Sequence, residues 1–402
     1  MSRARVVMTG VGVICACGHD GDSFWNALSR GESGLRAIRR FDTSTLVTKV
    51  GGEVDLTSLD KPPCTVRSPI EDTKAYLAWN ALQQILHLVQ KEDALITTVG
   101  LERIDLATIV GADTETATSP VCPETPPVVL PARLWGAAGV RGPVATQVAA
   151  CAAGTLAIGH AFRLIRSGWA TGVVAGGVDS LLFPFGIHAF NSIGALSEQN
   201  ERGAAALAPF DRFRSGTLLG EGAGYVMLEE LDRAIRLGHT PLAEILGFGG
   251  SMDAYHPVMP CPNGLGASLA MRRALDDARL APERIQYINA HGTGTWHNDV
   301  MEAKAILQVF GDRGRRVPVS STKPFFGHLL TAAGAVECIS ALLPLTRGLL
   351  PPTLHWRNPD PDIPLDCIPE TARPDSEIDV VMSNSYGLGG QNASLVFGRW
   401  HP

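Results

Sequence analysis

Residues 144–162 have the sequence VATQVAACAAGTLAIGHAF, which predicts a strand that runs directly into a helix. The apolar strand covers residues 144–150, and the helix covers residues 152–167, with apolar side chains at helical spacing. Cys151 lies at the junction, where the helix dipole and free N–H groups favour the thiolate and lower a cysteine pKa. The small neighbouring residues leave room for a substrate. Cys151 is therefore a candidate nucleophile, with a buried cysteine that packs at a turn as the alternative.

Strands and helices alternate on both sides of this segment. We predict further strands at residues 5–9, 105–111, 172–178, 244–247, 285–290 and 380–384. We predict further helices at residues 23–29, 73–89 and 267–278, a glycine-rich turn at 10–18 and proline-rich connections at 118–131 and 350–364. The order of elements in the first half recurs in the second. This pattern predicts an α/β fold of two pseudo-repeated halves, residues 1–238 and 239–402, with the site where their strand ends meet.

The composition excludes several classes of protein. The chain has 402 residues, of which 45% are hydrophobic and 18% charged, with a formal net charge of −6 and no dense Lys/Arg block, so we expect no nucleic-acid partner. No apolar run is long enough to span a membrane. The eight cysteines lack zinc spacing and predict no metal site and a reducing, cytoplasmic location. Thr9, Gly10 and Gly12 interrupt the N-terminal apolar stretch, which favours a first strand over a signal peptide.

Residues 289–299, NAHGTGTWHND, form a second motif with chemical potential. His291 follows an apolar strand directly and lies in a Gly/Thr turn, where the glycines allow a ligand to approach the backbone. Thr293 and Thr295 offer hydroxyl groups to an amide-bearing substrate arm. The alternative is a histidine with a purely structural role.

Two further motifs lie towards the C-terminus. In SSTKPFFGHLLTAAGAVE, residues 320–337, His328 opens an apolar helix and Lys323 precedes it. A buried lysine needs a partner, and Glu302 is a candidate; a helix-capping histidine and a solvated lysine are the alternatives. In SNSYGLGGQNAS, residues 383–394, a strand runs into glycines whose backbone N–H groups can line an oxyanion site, or which form only a tight turn.

Together these motifs resemble, in order and spacing, the β-ketoacyl-acyl-carrier-protein synthases of the elongating type used in fatty-acid and type II polyketide assembly. The resemblance covers nearly the whole chain. It rests on TGVGV, SFWNALSRGESGL, FDTS, ACAAG, VAGGVDS, ALSEQN, PFDRFRSGTLLGEGAG, DAYH, NAHGTGT, STKPFFGH, AAGAVE and NSYGLGGQNAS. It implies a thiolase-like, five-layer αβαβα fold.

The resemblance also implies a reaction, a decarboxylative Claisen condensation of an acyl group with malonyl-acyl-carrier protein. Its implied catalytic residues are Cys151 as nucleophile, His291 and His328 as hydrogen-bond donors to the enolate, and Lys323, paired with Glu302, as their support. The backbone N–H groups of Cys151 and Leu388 form the implied oxyanion hole, and Thr293 and Thr295 hold the phosphopantetheine arm. No metal or redox cofactor is implied. The implied partners are acyl carrier protein and a second copy or a homologous subunit.

Two alternatives stay open beside this interpretation. A thiolase carries a second catalytic cysteine in the last glycine-rich loop, and the loop YGLGGQ has none. A non-catalytic chain-length-factor subunit usually lacks the nucleophile, which is present here.

The chain departs from the family pattern in ways that affect the pocket. Leu388 takes the place of a gating phenylalanine, residues 111–141 form a short proline-rich segment, and RDGF becomes Arg214-Ser215-Gly216-Thr217. These departures predict an acyl substrate other than a saturated fatty chain, such as a polyene or polyketide intermediate. The candidates for a basic rim that receives the acidic carrier are Arg39, Arg40, Lys61 and Arg67.

Overall fold

The structure is a computed structural model that describes residues 4–65, 68–70, 72–99 and 129–401. The strands are β1 (Val6–Cys15), β2 (Arg36–Ala37), β3 (Val50–Gly51), β4 (Ala94–Val99), β5 (Val144–Thr146), β6 (Gly172–Ser180), β7 (Glu221–Glu230), β8 (Ala243–Met252), β9 (Tyr287–Asn289), β10 (Pro318–Ser320), β11 (Leu349–Leu350), β12 (Asp366–Cys367), β13 (Arg373–Pro374), β14 (Val380–Tyr386) and β15 (Gln391–Gly398). The helices are α1 (Gly21–Arg30), α2 (Thr73–Gln83), α3 (Val129–Ala137), α4 (Ala153–Arg166), α5 (Pro184–Ser192), α6 (Leu231–Leu237), α7 (Leu265–Ala278), α8 (Trp296–Phe310), α9 (Lys323–Phe326), α10 (Ala333–Ser340) and α11 (Leu343–Arg347).

The main sheet repeats one topology in its two halves. The first half has the strand order β5-β4-β6-β7-β1, and the second has β10-β9-β14-β15-β8 with β12 added at its edge. In both halves the first three strands are parallel, and each of the last two strands pairs antiparallel with the strand before it in this order. The halves join where β1 pairs with β8. The predicted pseudo-repeat is therefore confirmed, and the proposed boundary at residues 238/239 falls in the connection from α6 to β8.

Helices cover the sheet halves in three layers. Helices α4 and α10 lie between the two halves; every residue of α10 is buried, and α4 is buried except at a stripe that includes the exposed Arg163. Helices α2 and α3 cover the outer face of the first half, and α7 and α8 cover the second half. The order of layers is the predicted αβαβα. Within the described residues, no helix has both the length and the apolar character needed to cross a membrane.

The two central helices cross at a pair of glycines. A Cβ on Gly154 would lie 2.7 Å from the backbone nitrogen of Ala335. A Cβ on Gly334 would lie 2.2 Å from Thr155 Oγ1 and 2.8 Å from the Thr155 nitrogen. The contacts are reciprocal: each glycine is the second residue of its own helix and packs against the backbone of the other helix. Only hydrogen side chains allow the backbones to come this close.

The same turn precedes each central helix. A 3₁₀ turn at Ala150–Ala152 leads into α4, and another at Leu330–Ala332 leads into α10. The first residue of each turn has a positive φ, 45° at Ala150 and 49° at Leu330, which is strained for a residue with a side chain. The second residue is Cys151 in one half and Thr331 in the other. Cys151 and Thr331 therefore occupy equivalent positions in the two halves, and only the first of them is a thiol.

Some local predictions differ from the structure. The predicted turn at 10–18 is wrong for residues 10–15, because β1 continues through Gly10 and Gly12 to Cys15, and a turn follows only at residues 16–18. Glycine is needed there for close packing, since a Cβ on Gly12 would lie 2.0 Å from the Ala81 carbonyl oxygen of α2. Strand β5 ends at Thr146, four residues before the predicted end.

Other predictions fall partly or wholly outside the described residues. The predicted strand at 105–111 lies there, as does most of the proline-rich segment 118–131. In the repeated topology, the strand that corresponds to β9 is β4, which was not among the strands predicted from the sequence.

Candidate active site

A cavity of about 270 Å³ lies where strand ends of the two halves meet. Cys151 reaches it from the turn before α4, His291 from the loop after β9, and His328 from the loop after α9. The cavity thus brings together three predicted residues from two halves of the chain. Its wall also contains Thr293, Thr295 and Leu388, as the sequence predicts.

The Cys151 thiol is almost completely enclosed, with 5% of the residue exposed. Burial raises the pKa of the Cys151 thiol to about 12, while the Lys323 charge and a hydrogen bond from the Leu388 backbone N–H act in the opposite direction. The expected lowering of this pKa is therefore wrong, because removal of water from a thiolate outweighs the groups that stabilise it. Cys151 rests as a neutral thiol at neutral pH.

Glu302 holds the turn that carries His291. The His291 N–H donates to Glu302 Oε1 at 2.9 Å, and the Gly292 N–H donates to Oε2 at 2.8 Å. Burial raises the pKa of Glu302 to about 8, although these two N–H groups lower it. The carboxylate is fully buried on α8, beneath the loop. It therefore positions His291 through the backbone.

Lys323 does not have the predicted partner. Its Nζ contacts the Glu337 carboxylate and the His291 carbonyl oxygen, and lies 3.2 Å from His291 Nδ1. The predicted pairing of Lys323 with Glu302 is wrong, since Glu302 accepts the two backbone N–H groups. Both Lys323 and Glu337 are fully buried, and burial raises the pKa of Glu337 to about 7.

The two imidazole rings form a neutral pair. Their centroids are 5.4 Å apart with an interplanar angle of 79°. Burial, reinforced by the Lys323 charge, lowers the pKa of both His291 and His328 well below 6.5. His328 Nδ1 accepts the Leu330 N–H at 3.3 Å, and His291 Nδ1 faces the Lys323 ammonium. Because each Nδ1 faces a donor, each neutral ring carries its proton on Nε2.

The loop that links β14 to β15 closes over Cys151. A Cβ on Gly387 would lie 2.9 Å from the Ala149 oxygen and 3.2 Å from the Cys151 nitrogen. Gly389 and Gly390 both have φ of 82°, a conformation that favours glycine. These glycines bring the Leu388 N–H to the Cys151 sulfur, while the Leu388 side chain forms part of the cavity wall.

Comparisons with known proteins identify the family. The N-terminal domain of β-ketoacyl synthases matches residues 76–234, and the C-terminal domain matches residues 242–357. A 3-oxoacyl-[acyl-carrier-protein] synthase 2 from Coxiella burnetii is 37% identical over 99% of both chains. The chain belongs to the β-ketoacyl synthase family.

Solved structures of other ketosynthases share the whole fold. The ishigamide ketosynthase/chain length factor has a TM-score of 0.85 and 32% identity over 100% of both chains. A type II polyketide ketosynthase, solved in complex with its acyl-carrier protein and bound to the hexaketide, has a TM-score of 0.87 and 27% identity, covering 99% of this chain and 100% of its own. The predicted thiolase-like fold of a β-ketoacyl synthase is confirmed, and the chain is a condensing acyltransferase.

Several residues of the site in this β-ketoacyl synthase were not predicted from its sequence. Glu337 is the ion-pair partner of Lys323, and its signal is the single charged residue in the helix AGAVECIS. Tyr386 lies against the His291 ring with a centroid distance of 5.7 Å, and Thr217 is a further wall residue. No part of the described chain gathers three or more His, Cys, Asp or Glu in a metal-binding group.

The four basic residues predicted to receive the carrier differ in their surroundings. Arg40 is not available, because its guanidinium donates to the buried Glu221 carboxylate, with Nη1 2.8 Å from Oε2. Arg39 and Lys61 are exposed, and Arg67 lies outside the described residues.

Proposed function

We propose that this chain joins an acyl group held on Cys151 to a malonyl unit on acyl carrier protein, with loss of carbon dioxide, and releases a β-ketoacyl carrier protein. One observation carries the proposal: Cys151 shares a cavity with two neutral histidines whose hydrogen bonds to described residues are made through Nδ1, which leaves Nε2–H as the donor of each ring. A thiol accepts the acyl group, and two N–H donors stabilise an enolate.

The first half-reaction transfers the acyl group. The Cys151 sulfur attacks the thioester carbonyl, a carbon–sulfur bond forms, and the bond to the sulfur of the carrier breaks. The resting thiol is protonated, so its proton leaves during attack and ends on the released carrier thiol. The Cys151 and Leu388 backbone N–H groups stabilise the oxyanion, consistent with the Leu388 N–H contact to the sulfur.

The second half-reaction forms the carbon–carbon bond. Malonyl-carrier protein loses carbon dioxide, and the electron pair of the broken bond enters an enolate whose oxygen accepts from His291 and His328. The enolate carbon attacks the acyl carbonyl, and Cys151 leaves as a thiolate. Since burial raises its pKa, that thiolate takes up a proton from solvent.

Neighbouring residues position these groups. Lys323 and Glu337 hold the His291 ring, and Glu302 holds its backbone. Thr293 and Thr295, whose hydroxyls are 2.8 Å apart in the cavity wall, bind the phosphopantetheine arm. Enolate formation needs only N–H donors, so we propose that the chain requires no metal or redox cofactor of its own.

The proposed partners are acyl carrier protein and a second ketosynthase-type subunit, either identical or homologous. The ketosynthase solved with its carrier and the ketosynthase/chain length factor support this proposal. Strand β5 is an edge of the sheet, and Val148 just beyond it is highly exposed, which suits pairing with a second chain. The seven cysteines in the described residues are all free thiols, which supports a reducing, cytoplasmic location.

The test is intact-mass analysis with a panel of acyl-carrier proteins, followed by carbon dioxide release from malonyl-carrier protein. We expect wild type to gain one acyl mass, C151A to gain none, and H328A to be acylated but slow in carbon dioxide release. A C151A protein that still formed β-ketoacyl product would overturn the proposal. Wild type that accepted no acyl group, alone or with its partner subunit, would favour the chain-length-factor alternative.

A further inference from the structure

Thr217 carries an unused hydroxyl in the wall of the cavity that contains the nucleophile. The residue is 2% exposed and lies in the wall of the cavity that Cys151 also lines. Its backbone is fixed, because the Thr217 N–H donates to the Ala195 oxygen at 2.9 Å and its carbonyl accepts from Ser197 at 2.8 Å. Its Oγ1 has no hydrogen-bond partner among the described residues.

The surroundings of Thr217 make this hydroxyl unusual. The apolar residues Phe190 and Ile193 line the same cavity. A buried hydroxyl without a partner costs free energy, which a valine of the same shape would avoid. Rotation about χ1 exchanges the positions of the hydroxyl and the methyl group, so Oγ1 can turn towards the cavity without movement of the backbone.

Tyr386 provides a second unused donor in the same wall. Its ring lies edge-on to His291, and its phenol oxygen is buried without a hydrogen-bond partner in the described part of the chain. Burial raises the pKa of the Tyr386 phenol well above its usual value, so it stays a neutral O–H donor. Two orphaned hydroxyls in one substrate cavity favour recognition of a polar ligand group.

We propose that Thr217 and Tyr386 select acyl chains that carry a carbonyl or hydroxyl oxygen close to the thioester. This inference rests on the proposed function, because the chain in question is the one held on Cys151. An oxygen on the β-carbon offers an acceptor to either hydroxyl, whereas a saturated chain offers none to either. The substrate class is therefore a β-oxygenated acyl thioester, rather than a saturated chain or an unsubstituted polyene.

The test compares acylation of Cys151 by carriers that bear β-hydroxyacyl, β-ketoacyl or saturated acyl groups of equal length. The readout is the ratio of the oxygenated rate to the saturated rate, so that a general loss of activity cancels. We expect wild type to prefer an oxygenated chain by about 3- to 10-fold, the range of one net hydrogen bond. T217V should reduce this ratio, and T217S, which keeps the hydroxyl, should retain it. Y386F provides an independent variant if T217V folds poorly.

The outcomes separate this inference from the proposed function. Acylation of wild type at equal rates by all chains would overturn the selection of oxygen while leaving the condensation intact. A ratio that is unchanged in both T217V and Y386F would show that these side chains only shape the wall, and would also overturn it. Absence of an adduct from every carrier would instead contradict the proposed function itself.

Discussion

Lys323 and burial together set the charge state of the two histidines. The ammonium group faces His291 Nδ1 at 3.2 Å, and it is also among the causes that lower the pKa of His328. Protonation of either ring would place a hydrogen on Nδ1, against the donors already there. The neutral form, which donates from Nε2, is therefore favoured well into the acid range.

The rate of carbon dioxide release should consequently resist mild acid. Because folding lowers both histidine pKa values, protonation of the rings should reduce the rate only below the ordinary histidine value of about 6.5. Any change between pH 8 and 6.5 should come instead from Glu302 and Glu337, whose pKa values burial raises to about 8 and about 7. K323M removes a charge that lowers these pKa values and should move the acid limb to higher pH. The measurement is a pH–rate profile of malonyl-carrier decarboxylation. A wild-type limb centred at the ordinary histidine value would contradict the expected charge state.

Local sequence predicted the candidate residues better than their electrostatics. The strand-to-helix junction points to Cys151, and the Gly/Thr turn points to His291. The direction of the Cys151 pKa could not be predicted, because the loop that encloses the thiol comes from the other half of the chain. The partner of Lys323 was predicted wrongly because Glu302 accepts two backbone N–H groups instead. The positions of those N–H groups depend on the folded conformation of the loop, which local sequence does not reveal.

The crossing of α4 and α10 fixes the positions of the two 3₁₀ turns that precede these helices, one of which carries Cys151 while the other follows His328. G154A places a Cβ 2.7 Å from the Ala335 nitrogen, and G334A places one 2.2 Å from Thr155 Oγ1. Each should lower the free energy of unfolding by about 1–3 kcal/mol through overpacking, and reduce acylation as well. G136A is the matched control, since nothing lies within 4 Å of its added Cβ on α3. The measurements are denaturant unfolding and acyl-adduct formation; unchanged stability in both variants would mean that the helices can separate at no cost.

Some elements could be predicted from local patterns in the sequence, whereas glycine misled the prediction of another. The apolar runs of β6 and β14 and the helical spacing of α7 are clear local signals, and the structure contains these elements. Gly10 and Gly12 predict a turn, yet they lie in β1, because neighbouring chain packs where their side chains would be: Leu88 at Gly10, and Ala81 of α2 at Gly12. The same residue type that marks a turn also allows close packing, and local sequence does not separate the two cases.

The mouth of the cavity presents apolar side chains on the surface of the molecule. Trp296 is 56% exposed there, with the Arg214 guanidinium 4.2 Å from its ring centre. Exposed Ile193, Met259 and Leu388 complete this apolar rim. Because Arg40 is held in a buried ion pair, the apolar rim is a better candidate for carrier contact than the predicted basic one.

W296A should therefore raise the KM for malonyl-carrier protein by about 5- to 10-fold and leave kcat almost unchanged, as expected for loss of an aromatic contact. W169A is the control, since Trp169 is 85% exposed and does not line the cavity. The comparison is steady-state kinetics at low and moderate salt. Apolar contact predicts little dependence on salt, and a steep rise of KM with salt in wild type would instead indicate a charged rim.

The close crossing of the central helices also has a kinetic consequence. Helix α4 follows the turn that carries Cys151, and α10 follows the turn that comes after the loop with His328. The gap between the acyl carbon and the enolate carbon is therefore fixed by backbone contact at Gly154 and Gly334. Two reactants held at a fixed separation have a high effective molarity. Once both groups are bound, bond formation should have an activation entropy closer to that of a unimolecular reaction than to that of a collision in solution.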